Sequence, residues 1–267
     1  MLSKLLKHEF RATARVMLPV YVLLAVSTGL FCLSMRIDPT YELRALTVFR
    51  SLMGFIFGVT IIGTGIVTLA LMVYRFYKNY MTDEGYLMFT LPVSTTQLLW
   101  SKLIVALVWS IVTALAVMAA ALLTMVSEGI LGGLLPDLRT IWSYLLSQLT
   151  TGQLVSFGVE FMVLIIISSL GSYLMFYAAI SLGHSFANHK LLLSVVFYLA
   201  FSVGMQTIAS FGGVFGIIAI SEDGFFLDDP AIWVQRLALG GIGVALVIAV
   251  VFYVVTHLML KKRLNLQ

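Results

Sequence analysis

Glu160 is the first group in this 267-residue chain that could do chemistry, because it stands inside an apolar stretch. Ionisable side chains within a membrane span line proton and ion pathways or pair with one another. Glu160 has no second carboxylate near it in sequence. A lone carboxylate suits a structural role better: a partner for a Ser, Thr or Tyr on a neighbouring helix, or a group near the outer mouth. The four histidines, His8, His184, His189 and His257, are scattered. His184 and His189 are five apart and share a helix face poorly, whereas zinc needs three or four converging ligands. Cys32, the one cysteine, lies in an apolar run, so no disulfide framework exists within the chain. No Gly-x-x-x-x-Gly-Lys-Ser/Thr loop and no His-Glu-x-x-His occur. The expectation is a chain that is not itself an enzyme and holds no metal or cofactor. Energy for any transport then comes from an ion gradient or from a separate ATPase.

The other group of reactive and charged residues is a polar island over 75–102, between two long apolar stretches. Thr82 reads as an N-cap, with Asp83 and Glu84 in the first turn, where carboxylates favour the helix dipole. Tyr86, Leu87 and Phe89 offer aromatic and aliphatic knobs beside the acidic pair, and Pro92 punctuates. Ser94-Thr-Thr-Gln97 is a capping box that starts the next helix. The pattern predicts a short helix, a turn and the start of a third span. Such a helix suits docking into a groove on a soluble protein; its alternative is an amphipathic connector lying on lipid.

The elements that must position these groups are membrane helices. Apolar residues are 61% of the chain and charged residues 10%, with mean hydropathy +1.05. Soluble domains average about 45–50% and about 25%. Six apolar stretches, 16–34, 52–74, 103–126, 155–182, 191–220 and 237–260, reach the ~20 residues a helix needs to cross a bilayer. None has the period-2 alternation of a membrane barrel, so helices must satisfy the backbone in lipid. The fifth stretch is long for one straight crossing and carries Gly212, Gly213 and Gly216. It predicts a break after about Ser210 and a re-entrant segment over 211–220. The whole reads as one polytopic domain, 1–267, all-α and integral to the membrane.

Basic residues set the orientation. With both termini inside, Lys4, Lys7, Arg11, Arg15, Arg75, Lys78, Lys102, Lys190, Lys261, Lys262 and Arg263 fall on the cytoplasmic side. Only Arg36, Arg44, Arg50, Arg139 and Arg236 fall outside. Before the first span, Lys4, Lys7, Arg11 and Arg15 form one helical stripe and Leu2, Leu5, Leu6 and Phe10 another. That pattern predicts an amphipathic helix at the interface, basic face to the headgroups. It serves equally as a positive flank that orients the span. Gly54-x-x-x-Gly58 and Gly212-x-x-x-Gly216 are spacings that let helix backbones approach closely.

The run Asp83-Glu-Gly-Tyr-Leu-Met-Phe-Thr-Leu-Pro-Val-Ser94, with Gln97-Leu-Leu and Ser101-Lys-Leu103, resembles the corresponding loop of bacterial ABC-2-type permeases, the six-helix subunits of ABC exporters. The likeness is specific over about twenty residues and looser over the chain. It implies that Asp83, Glu84, Gly85, Tyr86 and Leu87 belong to a coupling helix seated on a nucleotide-binding subunit. It also implies a second permease copy, identical or related, in the bacterial cytoplasmic membrane, and short re-entrant helices before the last span. ATP and Mg²⁺ would belong to a partner ATPase, since no nucleotide site is present here. The 35–50 gap leaves no room for the large outer domain some relatives insert. Lipid is the other expected partner, and nucleic acid is not one. The expected function is export of a hydrophobic or amphipathic substrate, with Phe201, Met205 and Phe211 as apolar gates along the pathway. From the residues alone, a membrane scaffold or sensor and an ion-coupled carrier stay open beside it.

Overall fold

The computed structural model describes residues 2–37, 44–82, 84–90, 92–186, 188–222 and 230–262. Every regular element among them is an α-helix: α1 (Leu2–Met35), α2 (Arg44–Met81), α3 (Glu84–Phe89), α4 (Thr95–Ser127), α5 (Ile130–Gln148), α6 (Thr151–Gly183), α7 (Lys190–Glu222) and α8 (Pro230–Lys262). Six of these, α1, α2, α4, α6, α7 and α8, are long and apolar enough to cross a membrane. At 1.5 Å per residue, the 38 residues of α2 extend about 57 Å. The hydrocarbon core is about 30 Å thick, so the helices continue well past it.

One expectation about helix ends is refined and one corrected. The amphipathic segment before the first span is not set apart from it, because α1 is one helix from Leu2 to Met35. Lys4, Lys7, Arg11 and Arg15 are exposed along it, while Glu9, Thr13 and Met17 on the opposite face are buried. The break expected after Ser210 is absent too: α7 is helical from Lys190 to Glu222, through Gly212, Gly213 and Gly216. A glycine costs a helix only about 1 kcal/mol. An interrupted backbone in lipid leaves polar groups that cost several kcal/mol each. The helix is therefore the cheaper state for residues 211–220. The acidic loop beyond it, with Asp223, Asp228 and Asp229, lies outside the described residues.

Local signals explain the remaining ends. Ser94 caps α4: its Oγ accepts from the Gln97 N–H at 3.3 Å and its carbonyl from Leu98 at 3.1 Å. Gly129, at φ 72°, ends α4 in the left-handed region that suits glycine. Thr150 and Gln153 form a full capping box at the start of α6. The connection from α6 to α7 turns at His189, φ 54°, whose carbonyl accepts from Leu193 at 2.9 Å.

The chain divides into two compact units, Met1–Met72 with Ile104–Ser147, and Val73–Leu103 with Gln148–Gln267. The first is held by a buried polar seam. Thr60, Thr64 and Thr68 return their hydroxyls to carbonyls one turn back on α2 at 2.7–2.8 Å. Thr68 also meets Thr113 of α4 at 2.9 Å, and Thr113 meets the Tyr21 hydroxyl of α1 at 2.8 Å. The Trp109 indole donates to Thr13 at 2.8 Å. Hydrogen bonds of this kind join membrane helices where no hydrophobic force between them exists. Gly54 lies against the Phe31 ring, so its close packing is within the subunit.

In the second unit α6 packs on both α7 and α8. Phe176 stacks on Tyr198 of α7 with ring centroids 4.3 Å apart. A Cβ placed on Gly183 would come within 2.5 Å of the Ser194 backbone nitrogen, so α6 and α7 meet with no room for a side chain.

Candidate docking loop and membrane cleft

The six residues of α3 are too few to hold a helix alone, since helix nucleation costs more than one turn returns. The helix depends on its flanks, the last turns of α2 and the first of α4, which belong to the same unit. Tyr80 joins them. Its hydroxyl donates to the Leu98 carbonyl at 3.0 Å, and the Lys102 ammonium lies 5.6 Å from its ring centroid. Phe76, one turn back, meets Tyr80 edge-on at 5.1 Å and stacks on Tyr177 of α6 at 4.0 Å with the planes 6° apart. Phe76, Tyr80 and Tyr177 are fully buried and Lys102 is 3% exposed. The loop therefore stands on an aromatic layer that reaches α6.

On α3 itself Tyr86 is 53% exposed and Gly85 is buried, its N–H donating to the Thr82 carbonyl at 2.7 Å. Leu87 lies within α3, and Asp83 lies outside the described residues. The Thr82 hydroxyl, expected to cap α3, donates backward to the Lys78 carbonyl of α2. Glu84 is already paired with Lys78 of its own chain at 3.1 Å. Both groups are about half exposed, so the pair contributes ~0–1 kcal/mol. It holds α3 against the end of α2 by a contact that a partner's cation could replace.

Beside this layer, His184 closes α6. Its Nδ1 lies 2.9 Å from the Ile180 carbonyl, and the Tyr77 ring stands edge-on 5.4 Å away. Burial, with Lys190 nearby, lowers its pKa below the usual histidine value, against the opposing effect of the Ile180 carbonyl.

The three residues expected along a pathway do not converge. Phe201 packs against Phe252 of α8 at 5.0 Å, and Phe211 is exposed. Met205 lines a cleft of about 550 Å³ between α6, α7 and α8, together with Ser168, Ile208, Gly212, Arg236 and Gly240. Small residues on α7 and α8 leave this space open. Near it, Gln235 of α8 donates to Glu160 of α6 at 3.0 Å. The partner of Glu160 is thus an amide rather than a hydroxyl, and the contact is helix to helix. Sequence reasoning missed the Phe76–Tyr177 stack and the cleft. It also missed the Thr150 capping box, for which Thr-x-x-Gln was a visible signal.

A family model described as "ABC-2 family transporter protein" matches residues 5–188. No curated protein matches the chain. No solved structure matches it.

Proposed function

We propose, for a chain that belongs to the ABC-2 transporter family, that it is the membrane permease of an ATP-driven exporter. A separate ATPase subunit docks on α3 and hydrolyses ATP with Mg²⁺, and the permease moves a hydrophobic or amphipathic substrate outward. The observation that carries the reading is the exposed Tyr86 on a short helix whose base is anchored by buried Tyr80 and Lys102. An anchored helix passes on a push, which a connector floating on lipid does not. Tyr86 and Leu87 supply the anchoring contact, because binding energy concentrates in a few aromatic and apolar residues. Asp83 and Glu84 set orientation against basic groups of the ATPase, and Gly85 joins this acidic pair to Tyr86 and Leu87.

The membrane route uses the cleft beside Met205, whose walls are apolar apart from Ser168 and Arg236. Phe201 and Phe211 flank it on α7. Two permease copies assemble in the bacterial cytoplasmic membrane with both termini inside. The basic residues favour that orientation. The large apolar surfaces of α7 and α8, only 6% of whose spans are buried, support contact with lipid and a second copy. The Glu160–Gln235 bond favours a structural carboxylate over a proton relay.

The test is a pull-down of the chain with ATPases encoded beside it, paired with transport in vesicles. Tyr86→Ala is expected to reduce captured ATPase about tenfold or more at unchanged membrane yield. Charge reversal at Asp83 and Glu84 is expected to weaken capture in a salt-dependent way. Undiminished capture and transport in these variants would make the loop a lipid-lying connector.

A further inference from the structure

We infer that Phe76, Tyr80, Lys102 and Tyr177 form a transmission junction, positioning residues that lock the α3 loop to α6 and deliver its movement to the cleft between α6, α7 and α8. The inference rests on the reading of α3 as the ATPase-docking helix. It adds the route by which docking reaches the substrate path.

Three observations carry it. First, the ends of α2 and α4 that bear the loop belong to one compact unit with α6, α7 and α8, although the boundaries at Val73 and Leu103 fall inside continuous helices. Displacement of α3 is therefore shared with the helices that wall the cleft. Second, the contact is a close stack of fully buried rings. Phe76 and Tyr177 lie 4.0 Å apart and nearly parallel, and Tyr80 closes the layer edge-on. Close-packed interiors transmit strain in this way. Third, Lys102 is a charge at 3% exposure, set over the Tyr80 ring. Burying a cation is costly, and an apolar side chain of similar volume often packs with equal or better stability. Set there, the lysine holds the Tyr80 ring that bridges α2 to α4.

The far side of the junction is α6, a single helix from Thr151 to Gly183. From Tyr177 it runs back about 13 Å to Ser168, which lines the cleft, and about 25 Å to Glu160. There the bond to Gln235 ties α6 to α8. A movement entering at Tyr177 thus reaches the cleft along α6, and α8 through the Glu160–Gln235 bond.

The experiment uses the full permease with its ATPase in vesicles, and measures complex yield, ATP hydrolysis and substrate moved per ATP. Phe76→Leu is expected to keep complex yield and ATP hydrolysis within about twofold of wild type, since Phe76 meets α6 and not the docking surface; Lys102→Met, at the base of α3, is read through substrate moved per ATP in the complex that forms. Substrate moved per ATP is expected to fall about tenfold, and Lys102→Arg, which keeps a cation over the ring, to retain it. A purely structural role would lower all three quantities together, and that result, or no change in any, overturns the inference. Tyr80→Phe removes the hydroxyl that donates to Leu98, keeps the ring in the layer, and gives an intermediate loss where the larger changes do not fold. A second measurement needs no ATPase. Spin labels at Tyr86 and Ser168 of the isolated chain are expected to give one narrow distance distribution that broadens in Lys102→Met and Phe76→Leu. Equally narrow distributions in the variants overturn the junction even where docking holds. A wild-type chain that captures no ATPase overturns the docking reading instead, and the label distances still decide whether α3 is locked to α6.

Discussion

Gly183→Ala probes a close helix approach, where α6 ends against α7. An ideal Cβ on Gly183 would lie 2.1 Å from the Ser194 hydroxyl, 2.5 Å from its backbone nitrogen and 2.7 Å from its Cα. A hydroxyl can rotate away, but the other two atoms are backbone and move only if α7 moves. Overpacking a tight site costs about 1–3 kcal/mol, and backbone contacts place this one at the upper end, about 3 kcal/mol. Alanine is the better helix former by ~1 kcal/mol, which works in the opposite direction. The net expectation is a loss of about 2 kcal/mol, read from reversible unfolding in mixed detergent micelles. Adding Ser194→Gly removes the hydroxyl contact, together with that hydroxyl's bond to the Lys190 carbonyl at 2.9 Å, and leaves both backbone contacts, so it is expected to restore less than half of the loss. The reasoning fails if Gly183→Ala lies within about 0.5 kcal/mol of wild type. It fails equally if Ser194→Gly restores stability in full, which would put the whole clash on the hydroxyl.

Glu160→Gln is expected to preserve ATP-dependent transport, because a glutamine carbonyl can accept from Gln235 as the carboxylate does; transport that stops when the ion gradient is collapsed at constant ATP would restore the proton-relay reading. His184 has a folded pKa below its unfolded one, so the folded state favours the neutral ring and the unfolded state takes up the proton first. Its stabilising contribution is full above about pH 6.5, the ordinary histidine value, and is lost as pH falls below that through the folded pKa. Thermal unfolding compared between pH 7.5 and 5.5 is expected to show a decline that His184→Gln reduces, and an equal decline in that variant would assign the effect to other groups.

The six spans were legible because lipid permits few alternatives: a long apolar stretch must close its own backbone hydrogen bonds, and a helix is the local way to do so. The start of α4 was legible for a related reason, since Ser94 satisfies an end of the same ladder with side-chain chemistry visible in four residues. The helix α5, Ile130–Gln148, was not foreseen. It carries Pro136, Asp137 and Arg139 and is largely exposed, so a search for apolar spans passes over it. Its one local sign is Gly129 immediately before it, in a conformation that ends the preceding helix. The break expected in α7 was a misreading of glycine. Three glycines lower helix propensity, which decides little where water is not available to the freed backbone.

The functional loop shows the same division more sharply. Tyr86 stood out because its meaning is local: an aromatic residue, about half exposed, on a short helix. Lys102 did not, because a lysine at the foot of a span normally reads as a flank that faces water and sets orientation. Its burial depends on Tyr80, 22 residues earlier, and the layer below depends on Tyr177, which follows only after α4, α5 and most of α6. Which face of α2 meets α6 is fixed by the register of two helices packed together, and no spacing in either one encodes it. A charge that sequence assigns to the membrane surface is moved by packing into a buried aromatic layer, where it lies over the Tyr80 ring. Losing hydration there is a cost, and the position contributes to holding Tyr80 between the two helix ends that carry α3.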